Sequence, residues 1–215
     1  MPTITVDIWS DVVCPWCHLG KRRFEAALAT FEHRSSVTVR HRSFELDPGG
    51  PRQSDLTIPQ RMQRDLGLTP QRAEEGLRVL TALAAEAGLE YRLAQARPVN
   101  TYDTHRLLHL GEHRGLGDAV RERVMRAFTA EGADLGDRAT LVRLGTEAGL
   151  DARDVEALLD GDDFGAAVRA DEAMARRYGV RGVPSFLFAG RYAVSGALPV
   201  AELAELLRRA WRDAA

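Results

Sequence analysis

The hydrophobic period of this chain changes twice, and that change is what most restricts its fold. Residues 3–9 alternate, with Ile4, Val6 and Ile8 on one face, which predicts a strand. From residue 58 to residue 178 the spacing is helical. After Gly179 the pattern returns to β character, with residues 185–188 and 191–195 separated by Ala189-Gly190; this predicts a hairpin with a glycine turn. Neither flank has enough elements to fold alone. The expectation is therefore one α/β domain of thioredoxin-like order (βαβ…ββα), residues 1–48 plus 180–215, interrupted by a large all-helical insertion, residues 49–179.

Each flank has its own punctuation. After the first strand, Cys14-Pro15 opens a helix carrying Leu19, Phe24, Leu28 and Phe31, and proline suits the first helical position because its N–H would be unpaired there anyway. A second strand is predicted over 36–46, which makes a right-handed βαβ unit. Pro199 begins the last helix, with Leu203, Leu206, Leu207 and Trp211. Within the insertion, Thr69-Pro70 and Asp137 read as helix starts. Glu-Ala-Gly-Leu occurs at 86–89 and again at 147–150; glycine followed by an apolar residue is the usual helix stop and is preferred to an internal repeat.

Composition removes several functions. A formal net charge of -2 gives no electrostatic case for a nucleic-acid partner. No apolar run is long enough to span a membrane, and residues 1–8 lack the pattern of a secretory signal; the expected location is the cytoplasm, as a monomer or homodimer. With two cysteines in the chain, Cys14 and Cys17, a disulfide-stapled scaffold is excluded.

Those two cysteines lie three apart, where a strand runs into a helix. The first turn of a helix offers unpaired N–H groups and the positive end of the dipole, so a thiolate at Cys14 is stabilised by both. Cys17, one turn on, is placed to close a disulfide with it. Cys14 can attack a substrate disulfide and Cys17 can resolve the mixed disulfide; Pro15 starts the helix and Trp16 shapes the contact surface. Other readings of the motif are weaker. A zinc site would need a second ligand pair, and His105, His109 and His113, though spaced i, i+4, i+8, are more simply solvated or core histidines, so no metal is expected. Cys14 to His18 matches the haem-attachment pattern literally, but the alternating strand before it is wrong for a small helical cytochrome. In the second flank, Gly182-Val183-Pro184-Ser185 places a proline directly before a strand, which suggests a cis Val183–Pro184 bond opposite the cysteines, with the Val183 main chain free to pair with an extended substrate.

Taken together, these segments resemble the thioredoxin superfamily, its DsbA-like members, and most closely the FrnE-like subgroup. The resemblance spans essentially the whole chain and rests on 10–21 (Ser-Asp-Val-Val-Cys-Pro-Trp-Cys-His-Leu-Gly-Lys), 44–48 (Phe-Glu-Leu-Asp-Pro), 100–107 (Asn-Thr-Tyr-Asp-Thr-His-Arg-Leu), Val183-Pro184 and 194–197 (Val-Ser-Gly-Ala) after the hairpin. It implies disulfide oxidoreductase or isomerase activity on protein or small-molecule disulfides, with no bound cofactor and with glutathione or another thiol as exchange partner. Asp11 and Glu45 become candidates for proton transfer to Cys17. His18, Asn100 and His105 are carried over as supporting residues that line the groove or hold the insertion. The chain has no second cysteine pair of the kind some FrnE-like proteins carry. Glutathione-dependent 2-hydroxychromene-2-carboxylate isomerases and kappa-class transferases resemble the same fold, but they place serine where Cys14 stands and Gly-Ser-Asp where this chain has Gly196-Ala197-Leu198. They remain the enzymatic alternative, and a non-redox chaperone the non-enzymatic one.

Overall fold

The computed structural model describes residues 3–214. They fall into two compact units, one formed by the chain up to Leu46 and again from Arg169, the other by Asp47–Val168.

The first unit is built on a four-stranded sheet: β1 (Ile4–Ser10), β2 (Val37–Ser43), β3 (Ser185–Phe188) and β4 (Tyr192–Ser195), in the order β2-β1-β3-β4. β1 runs parallel to β2, with Ile8 opposite His41, and antiparallel to β3, with Ile8 opposite Phe186. The crossover between β1 and β2 is α1 (Pro15–Ala29). β1 is central, so both its faces are covered. On one face Ile4, Val6 and Ile8 join Phe186 and Phe188, and onto these pack Phe24 and Ala27 of α1 and Leu203 and Leu207 of the last helix, Val200–Arg212. The other face holds Trp9 and Leu187 against Ala175. The hairpin turn has φ of 50° at Ala189 and 67° at Gly190, and the Arg191 N–H donates to the Phe188 carbonyl at 3.0 Å. Three residues, 189–191, connect the paired Phe188 and Tyr192, and glycine accepts the left-handed backbone at 190 without strain.

The second unit is helical, and its ends follow the sequence signals. α2 (Ile58–Leu66) starts at Thr57, whose N–H is met by the Gln60 side chain at 2.8 Å. α3 (Pro70–Glu86) is capped by Thr69, α6 (Arg138–Glu147) by Asp137 and α7 (Ala152–Asp160) by Asp151. Between them lie α4 (Tyr102–His113) and α5 (Gly117–Glu131). Both Glu-Ala-Gly-Leu segments are helix stops. Gly88 and Gly149 have φ of 75° and 100°, and the Leu89 and Leu150 N–H groups reach back to the Ala84 and Gly145 carbonyls, the long return bond of a glycine-ended helix. Arg106, 2% exposed, joins the end of α7 to α4. Its guanidinium donates to the carbonyls of Leu158, Gly161 and Asp163 and pairs with Asp103.

One expected boundary is corrected. The sheet unit begins again at Arg169 rather than at 180, inside α8 (Gly165–Arg177). The reason is a set of contacts no periodicity reveals. The Asp171 carboxylate accepts from Arg42 and from the Ser43 N–H, each at 3.0 Å, and its carbonyl accepts from the Trp9 indole at 3.0 Å. Arg42 also binds Asp7 at 2.8 Å. A carboxylate only 3% exposed is tolerable because its oxygens are met by a cation and an amide. The other edge falls after Leu46 rather than after Pro48.

Candidate active site

Cys14 is the N-cap of α1, with extended backbone (φ -95°, ψ 107°), and Pro15 follows at the start of the helix. The loop before it is fixed by its own hydrogen bonds: the Cys14 N–H donates to the Asp11 carbonyl at 3.2 Å and the Cys17 N–H to the Cys14 carbonyl at 2.9 Å. No side chain caps this helix and its first turn holds no acidic residue, so the helix itself sets no carboxylate against the positive end of its dipole.

The two sulfurs, both thiols in this structure, have different surroundings. Cys14 retains 8% exposure and Cys17 1%, so the first thiol is the more accessible, though by a narrow opening. Burial pushes the Cys17 thiol well above its ordinary value, and the hydrogen bond and charge of Cys14 push it the same way; a main-chain hydrogen bond from Asp11 opposes them, while the Asp11 charge adds to the rise. Trp16, between the two cysteines, is 40% exposed.

The second flank meets this corner as expected. The Val183–Pro184 bond is cis, and the Cys14 thiol donates to the Val183 carbonyl at 3.6 Å. Gly20 allows this approach. A Cβ there would lie 2.9 Å from Pro184 Cγ and 3.3 Å from its Cβ, so only glycine lets α1 close on the proline ring without displacing it. The resemblance includes Gly20 within the cysteine segment but gives it no role of its own; the available signal was a glycine inside a helix, where it costs about 1 kcal/mol relative to alanine.

The other candidates separate. Asp11 is 1% exposed. One carboxylate oxygen accepts from the Leu46 N–H at 2.8 Å and the other faces the Val13 N–H at 3.5 Å, so this side chain ties the cysteine loop to the exit of β2. Glu45 is ion-paired to Arg169 at 2.6 Å, with its own side chain wholly covered. His18 is buried within α1. Asn100 and His105 belong to the helical unit. There Asn100 donates to the Pro48 carbonyl and accepts from the Tyr102 N–H, both at 3.1 Å, and His105 is buried on α4. His109 stacks on Phe164, and among the described residues no group of three or more potential ligands is arranged to hold a metal. No helix among them is long and apolar enough to cross a membrane.

A four-stranded mixed sheet with a cysteine pair at the head of its first helix, facing a cis-proline turn, defines a thioredoxin-like fold interrupted by a helical insertion. The DSBA-like thioredoxin domain matches residues 5–208, and the chain belongs to that family. The crystal structure of a probable DsbA oxidoreductase from Streptomyces coelicolor is similar over 98% of this chain and 91% of its own, with 41% identity and a TM-score of 0.95. An uncharacterized Bacillus subtilis protein, YwbO, is 26% identical over 189 residues, 86% of each chain. The cytosolic disulfide reductase DsbM from Pseudomonas aeruginosa, solved with glutathione, shares the fold at 22% identity and a TM-score of 0.64, over 97% of this chain and 99% of its own.

Proposed function

We propose that this protein catalyses thiol–disulfide exchange with Cys14 as nucleophile and Cys17 as resolving thiol. The observation that carries the reading is the asymmetry of the pair: Cys14 sits uncapped at the helix N-terminus against the Val183 main chain, and Cys17 is sealed behind it. In the reductive direction the Cys14 thiolate attacks one sulfur of a substrate disulfide. A new S–S bond forms and the other substrate sulfur leaves as thiolate. Cys17 then loses its proton, which finally resides on the departing thiol or in solvent, and attacks the Cys14 sulfur. The second substrate sulfur is released, the enzyme holds a disulfide, and two electrons have passed to the substrate.

Burial holds the Cys17 proton in place, which favours attack from Cys14 first. The sequence features support reading the chain as FrnE-like, with a dithiol resting form and reductase or isomerase activity in a glutathione-buffered cytoplasm. Glutathione is the first thiol to test as electron donor, since a disulfide reductase of the same fold has been solved with it. A reduction potential above about -270 mV is expected, as a Pro-Trp pair resembles DsbA-type sites more than thioredoxin's. Insulin reduction by the native protein, with trapping of mixed disulfides in Cys17→Ser but not in Cys14→Ser, tests the assignment; equal trapping by both variants overturns it.

A further inference from the structure

The sheet unit spends most of its carboxylates near α8 on other guanidiniums. Glu45 and Glu172 both bind Arg169, and Asp7 and Asp171 both bind Arg42. Three arginines that follow, Arg176, Arg177 and Arg181, are exposed, and among the described residues none of them has a carboxylate at ion-pair distance. Two of the three are accounted for by the helix: Arg176 and Arg177 lie in the last turn of α8, where the carbonyl end of the dipole favours cations. Arg181 lies beyond the helix and has no such compensation.

Its position is informative. Arg181 precedes Val183 by two residues, so their Cα atoms are at most about 7 Å apart, and Val183 is the residue whose carbonyl meets the Cys14 sulfur. Arg181 also lines an open cavity of about 290 Å³, together with Tyr178, Val180 and Gly182, over Ser185 and Ser195 of the hairpin. The two serines share a face, their hydroxyl oxygens 3.1 Å apart, and their small side chains leave the cleft beside the cis-proline turn unfilled.

We propose that Arg181 is a specificity-determining residue, selecting substrate disulfides that carry a carboxylate side chain beside the reacting cysteine. The inference rests on the exchange activity proposed above. A substrate cysteine bonded to Cys14 has its neighbouring residues over the Val183 turn, within reach of a long, unpaired guanidinium. The cation needs no rearrangement to receive a carboxylate, whereas a lysine or arginine at that substrate position meets like charge.

The test uses two peptides that differ only in glutamate or lysine next to a single cysteine, each supplied as its mixed disulfide with 2-mercaptoethanol, and 2-hydroxyethyl disulfide as the uncharged control. Native protein in its dithiol form should reduce the glutamate peptide roughly two- to five-fold faster in kcat/KM, the range of an exposed ion pair. The preference should shrink at 1 M salt, where charges beyond about 3 Å are screened. Arg181→Gln should bring the ratio to one and Arg181→Glu should invert it, while both variants keep the native rate on 2-hydroxyethyl disulfide, which shows that the fold and the cysteine pair are intact. A ratio of one in the native protein, or a ratio that survives in Arg181→Gln, overturns the proposal. Loss of exchange with 2-hydroxyethyl disulfide in the native protein would instead overturn the exchange reading, and this proposal with it.

Discussion

The helix that carries the cysteines and three helices of the insertion, α3, α6 and α7, begin in opposite ways. In the helical unit, Thr69 accepts from the Arg72 N–H, Asp137 from the Thr140 N–H and Asp151 from the Arg153 N–H. At Asp137 the Thr140 hydroxyl and N–H hold the carboxyl below its usual range. α1 starts with a sulfur that caps nothing. Those three helices use their N-termini for stability, each cap contributing about 0.5–2 kcal/mol, whereas α4 and α5 begin without a side-chain cap. α1 leaves its N-terminus uncapped, and its N–H groups and dipole remain for the charge that the proposed exchange would place on Cys14. The same physics serves cohesion in one unit and chemistry in the other.

The comparison breaks most completely at Cys14. Cys14→Ser should reduce insulin reduction to background. Its unfolding temperature should stay within about 4 °C of native, because serine restores the cap that cysteine omits; a large loss of stability would show that the sulfur is structural. Gly20→Ala comes next. Overpacking the Pro184 ring costs about 1–3 kcal/mol, against about 1 kcal/mol recovered from helix propensity, and urea unfolding should show the net loss. Exchange with peptide disulfides should fall more than exchange with 2-hydroxyethyl disulfide if a peptide also pairs with the Val183 main chain, as the sequence reading expects. Asp137→Ala should cost about 1 kcal/mol of stability and leave insulin reduction unchanged. This cap works through a depressed carboxyl, so its contribution is present above the unfolded carboxylate value of about 3.9 and is lost as pH falls through the lower native value. The smallest effect sharpens the contrast within the pair. With the Cys17 proton held by burial, resolution of a pre-formed Cys14 mixed disulfide should still be accelerating above the ordinary thiol value of about 8.5, as stopped-flow mixing across pH would show. The sign follows from the raised value: less Cys17 is ionised at neutral pH, and more becomes so as pH climbs.

The parts legible in the sequence were those set locally. Pro15 after Cys14, the Thr69-Pro70 and Asp137 starts, and the glycine stops at 88 and 149 all report backbone conformations that one or two residues determine. Val183-Pro184 was legible as a turn, and its meeting with Cys14 followed from the βαβ…ββα order. The partners of Asp11, Glu45 and Asp171 were not legible, because they come from residues 35, 124 and 128 positions away and depend on how two elements pack. Gly20 lay between: its type was a signal, its neighbour was not. Helical periodicity also runs without a break through α8, so the point at which the chain rejoins the sheet unit leaves no mark in the pattern.

That rejoining point bears on how the two units could be exchanged between relatives, by recombination or by design. A graft that swapped residues 49–179 would carry away Asp171, so that the Ser43 N–H loses its carboxylate, Arg42 keeps Asp7 alone and the Trp9 indole depends on whatever main-chain carbonyl the graft supplies. A graft cut after Leu46 and before Arg169 keeps all three. The portable module is the shorter segment, and the last two turns of α8 travel with the cysteines.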